Sequence, residues 1–253
     1  MSALLRLEAS DAPKLPAKES FHLYLLIGQS NMAGRGKVEP QDKVPHPRVL
    51  MLDKENAWVP ALDPLHFDKP TIAGVGLGSS FGRAMAEAAP GVTIGLIPCA
   101  VGGTPLARWQ KGGDLYEQAL VRAKVALKAG TLKGILWHQG ESDSKSEDTA
   151  NSYAQRLAQA VKDWRSDLGV NTAPFVAGKL GLFLAEKSKD GQPSTLWRTI
   201  NAQIESLPKL IPYCAVADSD GLQHKGDSVH FDSASLREFG KRYAEQMKSL
   251  QKK

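Results

Sequence analysis

The chain has 253 residues, with 32 Lys and Arg against 27 Asp and Glu, a net charge of +5, and 42% hydrophobic residues. That much apolar surface offsets the entropy of ordering and excludes bulk disorder. The basic residues are spread along the chain rather than gathered into a stripe with interleaved aromatics, which argues against nucleic acid as a partner. No apolar run reaches the ~20 residues of a membrane-spanning helix, which argues against a membrane partner.

Residues 1–253 are expected to form one domain, with 1–20 as an N-terminal extension. That extension lacks the charged start, apolar run and small-residue cleavage site of a secretion signal. The compartment stays open: cytoplasmic, or secreted if an upstream signal has been removed. Residues 21–27 are apolar almost throughout and end at Gly28, as a buried central strand should. Residues 49–52 read as a short second strand inside 37–73, a Pro-, Asp- and His-rich stretch with the look of a functional loop. A helix is predicted over 79–89, a strand over 92–97, a helix over 115–128 and a strand over 134–138. The helix predicted over 150–168 places Tyr153, Leu157, Val161, Trp164 and Leu168 on one face. A strand over 175–180, a helix over 195–207 and a strand over 213–217 follow. The last helix, 233–250, carries Leu236, Phe239, Tyr243, Met247 and Leu250 on one face, with Ser235 and Glu238 as a capping box. Strands alternating with helices imply an α/β chain, a three-layer α/β/α sandwich on a central, mainly parallel sheet. Cys99 and Cys214 sit in apolar runs and read as buried free thiols; with no suitably spaced histidines they make no zinc site.

Four polar segments follow predicted strands. The first is Gly28-Gln29-Ser30-Asn31-Met32-Ala33-Gly34-Arg35-Gly36, where small neighbours let the chain turn sharply and expose the Ser30 hydroxyl. The Gly-Lys-Ser/Thr ending of a phosphate-binding loop is absent. The second is Pro98 to Thr104, whose Gly102-Gly103 pair lets main-chain N–H groups approach a ligand. The third is Trp137-His138-Gln139-Gly140-Glu141-Ser142-Asp143, offering an amide donor and carboxylates that could orient an imidazole. The fourth is Asp227-Ser228-Val229-His230, a carboxylate and an imidazole three residues apart. Of the six histidines, His22, His46, His66 and His224 make weaker bases. Each segment alone also has an ordinary structural reading as a turn, a core histidine or a helix cap.

Together, GQSNMAGRG, PCAVGGT, WHQGESD and DSVH resemble the SGNH hydrolase superfamily, most closely carbohydrate esterase family six, the acetylxylan esterases and sialate O-acetylesterase-like proteins. The resemblance implies a flavodoxin-like fold and a serine esterase that removes O-acetyl groups from a carbohydrate through an acyl-enzyme, with no cofactor and no metal. It implies Ser30 as nucleophile, His230 as base and Asp227 as its orienting acid, with Glu141 the rival for that role. The implied oxyanion hole is the amides of Ser30 and Gly103 with the Gln139 side chain, where Gln replaces the superfamily's Asn. Arg108, Trp109 and Trp58 are candidates for lining a sugar site. A broad short-chain or lipase-like esterase and a non-catalytic carbohydrate-binding relative stand as alternatives. The glycan, the acetyl position and the oligomeric state stay open.

Overall fold

The computed structural model describes residues 13–186, 188–189, 192–193 and 195–252. The expected N-terminal extension lies outside the described residues as far as residue 12; a 3₁₀ turn at Lys18–Ser20 then leads into the first strand. Strands β1 (Phe21–Gly28), β2 (Val49–Leu52), β3 (Trp58–Pro60), β4 (Thr93–Pro98), β5 (Thr131–His138), β6 (Phe175–Gly178) and β9 (Cys214–Ala217) form one sheet. Its order is β3-β2-β4-β1-β5-β6-β9, and only the β2–β3 pair is antiparallel. Strands β7 (Ser188–Lys189) and β8 (Gln192–Pro193) pair as a separate antiparallel ribbon.

Seven α-helices accompany the strands among the described residues: α1 (Ser30–Ala33), α2 (Leu77–Ala88), α3 (Asp114–Ala126), α4 (Glu147–Asn151), α5 (Tyr153–Asp167), α6 (Leu196–Leu210) and α7 (Ser233–Gln251). Helices α2 and α7 pack together over one face of the sheet, and α3, α5 and α6 cover the other, which completes the three layers. Covered on both sides, β1 buries Phe21 and every residue from Leu23 to Gly28, and this is why its sequence is apolar without alternation. Helix α7 buries Leu236, Phe239, Tyr243, Met247 and Leu250, the face its spacing predicts. None of the described helices is long and apolar enough to cross a membrane.

Three local expectations need correction, and one strand is added to them. The helix predicted over 150–168 is two helices. Ser152 interrupts them with φ −89° and ψ 1°, and its hydroxyl bonds back to the Asp148 carbonyl at 2.6 Å. The capping box at 235 and 238 does not form. Asp232 caps α7 by accepting the Ser235 N–H at 2.7 Å, while the Ser235 hydroxyl takes the Gln223 N–H and Glu238 pairs with Arg242. Strand β3 has no signature in the sequence, since three residues give no periodicity to read. The strand expected to reach 180 stops at Gly178. Both cysteines are free thiols; burial pushes Cys99 up to about 11 and Cys214 up to about 12.

The connections set the location of function. From β1 the chain runs out to β2 and back to β4, then passes β1 to reach β5 and continues outward to β6 and β9. The reversal opens a crevice at the carboxyl ends of the strands on either side of β1. The four polar segments follow β1, β4, β5 and β9, so all four leave the sheet at that edge.

Candidate active site

Gly28 ends β1 at φ +134° opposite His138, and an added Cβ there would collide with the His138 carbonyl. The Gln29 N–H bonds that same carbonyl at 2.8 Å, and the chain then turns directly into α1. Ser30 is thereby placed at the first position of a single helical turn, its side chain facing the crevice and only 6% of the residue exposed.

The loop between β9 and α7 brings the base to it. His230 Nε2 lies 3.1 Å from Ser30 Oγ, and His230 Nδ1 lies 2.7 Å from Asp227 Oδ2. The second oxygen of Asp227 accepts the N–H groups of Val229 at 3.0 Å and His230 at 2.8 Å, so the carboxylate shapes the turn it belongs to. Ser228 at φ +52° and Gly226 at φ +107° supply the left-handed backbone that lets residues 227 and 230 face each other. His224 Nδ1 accepts the N–H groups of Gly226 and Ser228, both at 3.0 Å. Burial opposes the Asp227 charge, but the His230 amide and ring and the Val229 amide outweigh it and hold Asp227 down at about 2.

The turn after β4 is tied down amide by amide. The Cys99 N–H bonds the Leu26 carbonyl at 2.9 Å, Ala100 the His66 Nδ1 at 3.1 Å, Val101 the Gly28 carbonyl at 3.0 Å and Gly102 the Asp68 Oδ2 at 2.7 Å. Gly103, at φ +80°, is the next, and among the described residues nothing accepts its N–H. The Ser30 N–H, at the start of α1, likewise has no acceptor among the described residues. The turn lies against the serine: a Cβ added at Gly102 would come within 3.3 Å of Ser30 Cβ. Two backbone donors are therefore unspent beside the Ser30 hydroxyl.

Two of the anchors for this turn come from the irregular stretch 37–73, which the sequence singles out only as a loop. Asp68 is paired with Arg35 at 2.6 Å, both side chains almost fully buried. Burial opposes the Asp68 charge, and the Arg35 guanidinium with the Gly102 amide keeps its pKa below the usual carboxylate value. Burial lowers His66 to about 3, so the ring is neutral and its Nδ1 can accept from Ala100.

Gln139 requires a correction. It is fully buried, and its amide nitrogen is within 2.7 Å of Asp143 Oδ2, 3.1 Å of the Thr104 carbonyl and 3.2 Å of Gln29 Oε1. Three acceptors exhaust its two hydrogens, leaving none for a ligand. Its oxygen meets the Tyr153 hydroxyl at 3.0 Å. Gln139 therefore holds the 103–106 loop, together with Asp143, whose Oδ2 accepts the Leu106 N–H at 2.8 Å and whose Oδ1 pairs with Arg156 at 2.8 Å.

The three sugar-site candidates do not gather around Ser30. Trp109 is fully buried, its indole N–H donating to Thr104 Oγ1 at 3.0 Å and its ring edge-on to Trp137. Trp58 packs edge-on against Phe21 at 4.7 Å, and Phe21 opens β1 about 23 Å along the strand from Gly28. Arg108 is exposed and forks onto Asp114. Glu141 makes no contact with His230; its Oε1 accepts from Asn31 Nδ2 at 2.6 Å. Burial opposes its charge, and His138 with Asn31 keeps its pKa below the ordinary value. Asn31 and Asp143 are the residues missed as site elements, because nothing local in their motifs distinguishes them from turn formers. Among the described residues no three His, Cys, Asp or Glu side chains gather as a metal-ligating set.

A serine facing the crevice, an imidazole, a carboxylate and two unspent amides suit acyl transfer. The sequence model of a family described as "Carbohydrate esterase, sialic acid-specific acetylesterase" matches residues 20–249. A protein of Arabidopsis thaliana described as a probable carbohydrate esterase is 31% identical over 239 residues, 86% of each chain. Its X-ray structure superposes with a TM-score of 0.81 at 28% identity, over 92% of this chain and 99% of that one. The crystal structure of NanS gives 0.74 at 20% identity, over 94% and 99% of the two chains. A carbohydrate acetylesterase of Xanthomonas citri gives 0.70 at 21% identity, over 90% of this chain and 56% of that one. At these identities the last two bear on the fold.

Proposed function

This chain belongs to the carbohydrate esterase family of sialic acid-specific acetylesterases, and from that premise we propose that it deacetylates a sugar through a covalent acetyl-Ser30 intermediate. It is a carboxylic ester hydrolase. In the proposed reaction Ser30 Oγ attacks the acetyl carbonyl carbon while His230 Nε2 takes its proton. Asp227 steadies the resulting imidazolium. The carbonyl oxygen, now negative, is received by the Ser30 and Gly103 N–H groups. The intermediate collapses, the ester C–O bond breaks, and His230 returns the proton to the departing sugar oxygen. A water molecule then adds to the acetyl group by the same route and acetate leaves.

The single observation that supports this reading is the continuous Asp227–His230–Ser30 arrangement, at 2.7 and 3.1 Å, beside the unspent Gly103 amide. The test is a panel of acetyl, butyryl and octanoyl esters of one leaving group, with acetylated xylan and acetylated sialic acid alongside. Acetyl esters should be fastest, since a pocket that positions one methyl misplaces a longer chain. Ser30→Ala should lower kcat by about 10³-fold or more. An octanoyl optimum would favour a lipase-like enzyme, and an active Ser30→Ala protein would overturn the mechanism.

A further inference from the structure

Asn31 follows the nucleophile directly, is 1% exposed, and reaches across to the loop that carries the base. Its amide nitrogen donates to the Val229 carbonyl at 3.1 Å, and its amide oxygen accepts the Phe231 N–H at 3.1 Å. Val229 and Phe231 are the two neighbours of His230, so one side chain on α1 grips the backbone on both sides of the imidazole. The remaining hydrogen of that amide goes to Glu141 Oε1 at 2.6 Å.

Glu141 is itself anchored from behind. His138 Nε2 lies 3.7 Å from Glu141 Oε1, beyond hydrogen-bond length but in contact with it in a buried site. The His138 ring is held edge-on by Phe231 and Phe239, at 5.8 and 5.4 Å. The Tyr243 hydroxyl donates to the Trp137 carbonyl at 2.7 Å, so His138 Nδ1, 3.3 Å from that oxygen, must be the donor to it. Both His138 Nε2 and Glu141 Oε2 are buried without a hydrogen-bond partner among the described residues.

We infer that Asn31 is a positioning residue for His230, and that the buried Glu141–His138 pair fixes the Asn31 amide in the orientation that does this. The inference rests on the Ser30–His230–Asp227 reading. It gives Glu141 a role other than that of the acid: the carboxylate acts on the base through Asn31 and never touches it.

The test measures kcat and KM for p-nitrophenyl acetate in Asn31→Ala, Asn31→Asp, Glu141→Ala, Glu141→Gln and the double alanine variant, with thermal melts of each. Ser30→Ala serves as the control for the underlying reading. Letting the imidazole shift by about 1 Å should lower kcat by about 10²-fold in Asn31→Ala with KM changed less than about threefold. Asn31→Asp, nearly isosteric, presents an acceptor where two acceptors wait, and should lose as much. Glu141→Ala should lose about tenfold. Glu141→Gln should recover most of that loss, because its oxygen still accepts from Asn31. The double alanine variant should be no slower than Asn31→Ala, since Glu141 works only through that residue. Folded Asn31→Ala and Asn31→Asp proteins with near-wild-type kcat would overturn the inference. So would a Glu141→Gln protein as slow as Glu141→Ala, or losses that multiply in the double variant. An active Ser30→Ala protein would sink the mechanism beneath the inference, a result distinct from all of these.

Discussion

Replacing Asp227 by Asn tests the proposed triad with almost no change in volume. Asp227 accepts three bonds, from His230 Nδ1 at 2.7 Å and from the N–H groups of His230 and Val229 at 2.8 and 3.0 Å. An Asn must keep its oxygen on the two backbone amides, because turning it round would set an NH₂ against two N–H groups. Its own NH₂ then faces His230 Nδ1, which has to become an acceptor, and the ring hydrogen moves to Nε2. There it points at Ser30 Oγ, and a base has become a donor. Loss of the correct tautomer and of the carboxylate charge is expected to lower kcat by about 10⁴-fold, near 5.5 kcal/mol of transition-state stabilisation. The loop bonds survive, so the melting temperature should hardly move. Steady-state hydrolysis of p-nitrophenyl acetate at pH 7, with circular dichroism for the fold, reads both quantities. A folded Asp227→Asn protein within tenfold of wild type would refute the tautomer argument and reopen the identity of the acid.

Three stability predictions accompany it. His66 has its pKa lowered by burial from 6.5 to about 3, so its contribution is complete above pH 6.5 and is lost as pH falls toward 3. Urea denaturation should therefore show the wild type losing about 2–3 kcal/mol more than His66→Asn between pH 7 and 4.5; parallel profiles would contradict this. Asp68→Asn strips the countercharge from buried Arg35 and should cost about 3–5 kcal/mol by the same measurement, with a loss under about 1 kcal/mol showing that the pair matters little. Trp109→Ala should cost about 3–5 kcal/mol, because its ring is core rather than a sugar platform; a weakened KM for acetylated xylan at unchanged stability would restore the ligand-lining role.

Elements whose signal is periodic or local are legible in the chain alone. The apolar run before Gly28, the helix face through Leu236 and Leu250, and the Asp227-to-His230 spacing are each readable within one strand, one helix or one turn. Short-range physics suffices there, since alternation, helical period and loop reach depend only on neighbours in the chain. The tertiary structure decided what those pieces meet. Asn31 reaches Val229 and Phe231 across about 200 residues, and Asp68 and His66 hold amides 34 residues away. Gln139 reads in its motif as a donor to an oxyanion, yet packing surrounds its amide with three acceptors. Trp109 and Trp58 looked equally available, and the fold buried one and carried the other to the far end of β1. A polar side chain's partners are set by which strand ends the crossovers bring together, and no local pattern records that, so the motifs named the chemistry while the sheet order chose which atoms remained unspent to perform it.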